Sequence, residues 1–383
     1  MARRGWGASV AAALGVAAGT GAAQLGIGYG LGIINWAPAG AVRGEAAWLA
    51  SLAWATWISA TSVVAGAVCV HRLQGGHDED PGGPLRKLGL AVGATVGALI
   101  TVLLVAVPAR AARVPDTSAP QAVAAGYAAA GLLLGLLLAI WALHTRAVAT
   151  NLVATTGWLW LLAVVAVVDG VLSGRGLTTA QLGSWQINTD SEQLWIRDYC
   201  YWPGALLSLG AALVIGALAA RRTAQVPQWR VGTAASGAAG PFLVALAYLL
   251  AVPRLGAITP EQLSAHLIAP YAVIAGVGGS VLVAMLAQRA EHRNATHAEV
   301  SLPRQRTDEP APATDEVDTA DEVDRPAVDP VVQLTADSTE TPTTPEGTSD
   351  SPAPDALAGT AGTGDADDAG DGGRAAKGRR RGR

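Results

Sequence analysis

The amino-acid sequence predicts an all-α protein: a polytopic transmembrane helix bundle of about eight spans, followed by a disordered acidic C-terminal tail. Three observations carry that expectation. First, Leu88–Val107 holds no charge, with Arg86-Lys87 before it and Arg110 after it. Twenty helical residues at about 1.5 Å each span about 30 Å, the thickness of a bilayer's hydrocarbon core. Second, Gly89, Gly93 and Gly97 recur every four residues. They therefore share one helix stripe, where a neighbouring backbone can come close. Third, the composition changes abruptly near residue 288. Residues 1–288 carry fifteen Lys+Arg against ten Asp+Glu, net +5; residues 289–383 carry eleven against twenty, net −9, which together give the overall −4. The expected organisation is a membrane domain over 1–288 and a polar tail over 289–383.

Taken in order, the first apolar run covers about 8–34, after the basic Arg3-Arg4. A signal peptide has an apolar core of about 7–15 residues, and this run continues to Trp36, so an uncleaved span is expected. Gly26, Gly28, Gly30 and Gly32 weaken its far end and mark a bend or an unwound segment there. The other runs lie near 46–70, 88–107, 121–143, 148–172, 204–220, 231–252 and 266–287. In the second run Ser51, Ala55, Ser59, Ser62, Gly66 and Cys69 step by threes and fours, a small-residue face for close helix packing. Gly131 and Gly135 form a similar pair in the fourth run. Gly240-Pro241 inside the seventh predicts a kink, because proline lacks a donor and clashes with the preceding turn.

The connection at 173–203 is the one substantial segment on its side. Thr189-Asp190-Ser191-Glu192 has the form of a capping box. A helix started there places Trp195, Tyr199 and Trp202 on one face, suited to the headgroup level. Eleven basic residues in one set of connections against six in the other put both termini in the cytoplasm. Alanine-, glycine- and arginine-rich composition suggests a bacterial source, and hence a bacterial cytoplasmic membrane.

No chemical motif stands out. The sequence holds no H-E-x-x-H, Walker loop, G-x-S-x-G or paired C-x-x-C, and the expectation is a protein without a cofactor or metal. Cys69 and Cys200 fall on opposite sides of the predicted membrane and cannot pair. The one acidic residue inside a span is Asp169, near the outer end of the fifth run. A carboxylate at a helix C-terminus opposes the macrodipole and calls for a cationic partner. Arg197 is the first candidate, and Arg175 the second. These three are the candidate functional residues.

Residues 307–371 hold eighteen Asp+Glu against Arg325 alone, with abundant Pro, Thr, Ala and Gly. So little apolar surface cannot offset the entropy of ordering, and this segment is expected to be disordered. The tail closes with six basic residues between Arg374 and Arg383. The expected partners are the lipid bilayer and, for the tail, anionic lipid or a protein; nucleic acid is not expected. The functional expectation is a non-enzymatic membrane protein that interacts or regulates through its tail. The alternative is a permease or channel for a neutral or weakly charged solute.

Overall fold

The computed structural model describes residues 5–38, 41–74, 83–114, 117–174, 180–183, 192–197, 199–251 and 260–300. The chain divides into two units, 1–306 and 307–383, and all described residues belong to the first. From residue 301 onward the expected tail lies outside the described residues.

The helices are α1 (Trp6–Gly30), α2 (Ala41–Leu73), α3 (Gly83–Ala98), α4 (Ile100–Ala109), α5 (Pro120–His144) and α6 (Arg146–Leu172), then α7 (Trp202–Ala220), α8 (Arg230–Ala235), α9 (Ala239–Leu250) and α10 (Pro260–Val300). Among the described residues they make eight segments long and apolar enough to cross a bilayer, with α3–α4 and α8–α9 each forming one. The protein is an integral membrane protein of the predicted all-α, eight-span class.

The glycine stripe of α3 meets α1. A side chain at Gly93 would fall 2.6 Å from Cγ1 of Val10, and one at Gly97 would collide with the Leu14 carbonyl. Trp6 lies against Gly89. The matching four-residue steps on both helices, 6, 10, 14 against 89, 93, 97, are two ridges running parallel, as spans one and three must. On α5, Gly131 rests on Thr56 of α2, and Gly135 lies against the Ala60 backbone.

Helices α1, α3 and α5 all pack against α2, the central helix, which is buried along 89 % of its most apolar stretch. Its mean hydropathy there is 1.5, whereas the more exposed α3–α4 span reaches 2.5. Helix α1 has the same mean hydropathy of 1.5 and is only 28 % buried, so hydropathy does not rank the helices by burial; it bounds what each face can carry. Lipid-facing positions must be apolar, while positions covered by other helices can be polar or small. Ser51, Thr56, Ser59 and Ser62 of α2 are fully buried, as are Trp54 and Trp57. Outward positions on other helices carry Leu103, Leu133, Leu137, Leu206 and Ile274.

Two sequence expectations need correction and one is refined. Helix α1 ends at Gly30, short of residue 34, within the glycine-rich stretch expected to bend or unwind. Gly32, with φ +69°, then reverses the chain, and the Ile34 amide donates to the Gly28 carbonyl at 3.1 Å. Ile33, Ile34 and Trp36 fold back as buried residues instead of extending the span. The connection at 173–203 does not carry the expected helix over 195–202. A 3₁₀ turn at Glu192–Leu194 leads into a two-stranded antiparallel hairpin, β1 (Trp195–Ile196) with β2 (Cys200–Tyr201). The period-four reading of Trp195 and Tyr199 loses to cross-strand pairing: Trp195 sits opposite Tyr201, ring centroids 5.4 Å apart. Such aromatic pairs stabilise short ladders. Residues 189–191 of the capping box lie outside the described residues. Finally, α10 does not stop near residue 287 but runs on to Val300 as a polar helix.

Candidate functional site

Two buried polar clusters and one cleft stand out in the apolar bundle. The first cluster centres on Gln24 of α1, which is 8 % exposed. Its Oε1 accepts from Trp160 Nε1 of α6 at 2.9 Å and from Thr61 Oγ1 of α2 at 3.2 Å, and its Nε2 donates to Ser62 Oγ at 3.4 Å. Ser59 and Thr101 hydrogen-bond beside it at 2.9 Å. One amide thus ties three helices together. An amide left without partners in hydrocarbon costs at least as much as a lost hydrogen bond, so the network specifies how these helices register.

The second cluster explains the break in the seventh span. Pro241 has no N–H for the Gly237 carbonyl, and the turn before it tightens to a 3₁₀ segment, Ser236–Ala238. The Ala239 amide moves to the Ser236 carbonyl. The Gly240 amide is then released and donates to Asn151 Oδ1 of α6 at 2.8 Å. The break falls at Ser236–Ala238, the turn just before the Gly240-Pro241 pair that predicted it. Gly237 and Gly276 meet face to face, each at the spot where the other's Cβ would sit, and Ser280 Oγ donates to the Ala234 carbonyl at 2.5 Å. Asn151 itself is fully buried, and its Nδ2 has no partner among the described residues.

The cleft, partly open, runs between α6, α7, α9 and α10 beside this break, and its two lobes are narrow, about 30 and 40 Å³, room for about one water molecule each. Their walls are mostly apolar, including Leu159, Ile215, Pro241 and Val244. Residues 180–183 close one end. Three of their carbonyls take donors from three helices: Ala180 from Trp54 Nε1 (2.9 Å), Leu182 from the Tyr248 hydroxyl (2.6 Å) and Gly183 from Ser208 Oγ (2.7 Å). Non-helical backbone at the edge of a membrane bundle needs such donors. Trp54 also packs on Trp160, ring centroids 5.2 Å apart, which links this plug to the Gln24 cluster.

The residues singled out from sequence lie elsewhere. Asp169 is half-buried in the last turn of α6. Arg197 is exposed, with φ +51°, in the turn between β1 and β2. No ion pair joins the two among the described residues, where Arg230–Glu291 forms one. Arg175 lies outside the described residues. The described His, Cys, Asp and Glu side chains form no group of three or more suited to a metal. Sequence reasoning missed Gln24 and Asn151 because it weighed only ionisable groups within the spans. The available signal was a single side-chain amide in each of two mostly apolar runs. The chain matches no protein family model, no characterised protein and no solved structure.

Proposed function

We propose that the bundle is a membrane anchor for an acidic, cytoplasmic C-terminal segment, and that the protein works through interactions of that segment rather than by catalysis. The observation that supports this reading is α10. One continuous helix joins an apolar span to the polar stretch from Gln288 to Val300. Its glycines lock it in place: a side chain at Gly279 would collide with the Leu213 backbone of α7, and Gly276 sits against Gly237. The Arg230–Glu291 ion pair fastens the polar part to α8. A helix held this firmly gives the C-terminal segment a fixed point of attachment.

The proposed setting is a bacterial cytoplasmic membrane with both termini inside. One end of the bundle supports that orientation. Among the described residues it gathers Arg72, Arg86, Lys87, Arg146, Arg221, Arg222, Arg230, Arg289 and Arg293, while the other holds Arg43, Arg110, Arg113 and Arg197. Such an excess marks the cytoplasmic side.

Photocrosslinking amino acids placed in turn across 307–371 of the full chain, in its native cell, test the proposal. Tail positions should yield discrete protein adducts, and a tail silent at every position overturns it. A permease for a small neutral solute is the second reading, favoured by the broken seventh span beside the cleft, since discontinuous helices form substrate sites in transporters. Solute flux into proteoliposomes above that of empty vesicles would establish it.

A further inference from the structure

The turn between α7 and α8 reads Arg221-Arg222-Thr-Ala-Gln-Val226-Pro-Gln-Trp229-Arg230-Val231. Two successive 3₁₀ turns, Thr223–Gln225 and Pro227–Trp229, make it an ordered ledge. Ala224 is fully buried, and Arg230 holds the ledge from below. Its Nε donates to the Ala224 carbonyl at 3.3 Å, and its Nη2 pairs with Glu291 of α10. With Arg230 committed inward, Arg221 and Arg222 stand exposed at the start of the ledge. Trp229, Val226 and Val231 are exposed on the same ledge, Val231 by 88 %.

We propose that this ledge binds an anionic phospholipid through Arg221 and Arg222. The guanidinium groups supply charge-assisted hydrogen bonds to a phosphodiester and to the second negative charge that distinguishes an anionic headgroup. Trp229 suits the headgroup level, and Val226 and Val231 face the acyl boundary just beyond it. The combination decides the ligand class. A nucleic acid or an acidic peptide would use the arginines but would leave three apolar side chains in water. These side chains stand at the ends of apolar spans, where a lipid supplies both halves of the contact. The site is separate from the basic residues at the end of the tail.

Native mass spectrometry of the full chain tests the assignment, in mixed micelles holding equal phosphatidylglycerol and phosphatidylcholine. The chain should retain phosphatidylglycerol preferentially. Each arginine near an anionic surface contributes a roughly fivefold effect, so R221Q/R222Q should weaken retention by about thirtyfold. R110Q/R113Q, at the opposite end of the bundle, should leave it unchanged, and R221K/R222K, which keeps the charge but loses the guanidinium fork, should fall between the unaltered chain and R221Q/R222Q. Equal retention of the two lipids, or an equal loss in R110Q/R113Q, overturns the proposal. Should R221Q/R222Q fail to fold, salt decides on the unaltered chain. Raising ionic strength from about 0.1 to 1 M shortens the screening length from about 10 to 3 Å and should release phosphatidylglycerol. Retention indifferent to salt also overturns the assignment.

Discussion

Gly97 lies where the backbones of α1 and α3 come nearest, and its neighbours differ instructively. An added methyl at Gly97 meets the Leu14 main chain, which cannot move without shifting a helix, whereas at Gly93 it meets first the tip of Val10. At Gly15, on the outer side of α1, it meets nothing. Gly97→Ala should therefore destabilise most, by about 1–3 kcal/mol, Gly93→Ala less, and Gly15→Ala hardly at all. Leu103→Ile, at an exposed position, should be mild. Unfolding in mixed detergent micelles measures the order, and Gly15 ranking with Gly97 would contradict the packing. Asp169 belongs at this scale too. With Arg197 exposed and no ion pair between them, a double-mutant cycle should return a coupling of about 0–1 kcal/mol. A coupling of about 3 kcal/mol would make the pair structural.

At the scale of elements, the seventh span shows how a membrane helix tolerates a break. Pro241 strips one bond from the ladder and the 3₁₀ turn strips another, and the released Gly240 amide finds Asn151 on α6. Asn151→Leu leaves that amide without an acceptor in an apolar interior, a loss of about 1–3 kcal/mol. Pro241→Ala restores a donor for the Gly237 carbonyl and lets the turn relax towards α-helix, which returns the Ser236 carbonyl to Gly240. The double variant Asn151→Leu/Pro241→Ala should accordingly recover part of the lost stability. Strictly additive effects would mean that the break and the amide are independent. The Gln24 cluster is the parallel case: Gln24→Leu removes partners from Trp160, Thr61 and Ser62 together. Single interhelical hydrogen bonds in membranes average about 0.6 kcal/mol, so the loss should be about 1–2 kcal/mol.

Across the whole molecule, the proposed arrangement puts the arginine-rich end in the cytoplasm. Reporter fusions after residues 78, 145, 226 and 300 should read inside, and those after 40, 115, 190 and 260 outside. An outside signal after residue 300 would reverse the orientation and move the α7–α8 ledge to the other leaflet. A chain cut after residue 306 keeps every described element and should insert and unfold as the full chain does. A lower unfolding temperature for the shortened chain would show that 307–383 stabilises the bundle.

The sequence by itself determined that the protein is helical, membrane-spanning and eight-fold in its spans. Length and hydropathy are local properties that do not depend on which helix neighbours which. It also marked the seventh-span break, because a proline's missing donor acts on its own turn. Only the tertiary structure decided which helix lies at the centre. Hydropathy does not choose there: α1 and α2 share a mean hydropathy of 1.5, yet α1 is 28 % buried and α2 89 %, because burial depends on which helices surround each one. Likewise the stripe at Gly93 and Gly97 is occupied, while Gly15 and Gly19 have the same spacing and touch nothing. Residues 195–201 became a hairpin for a similar reason. Trp195 gained more from the ring of Tyr201, 2 % exposed, than from a helical face towards the headgroups. Periodicity states what a stretch could do alone, and contacts between distant stretches choose among those options.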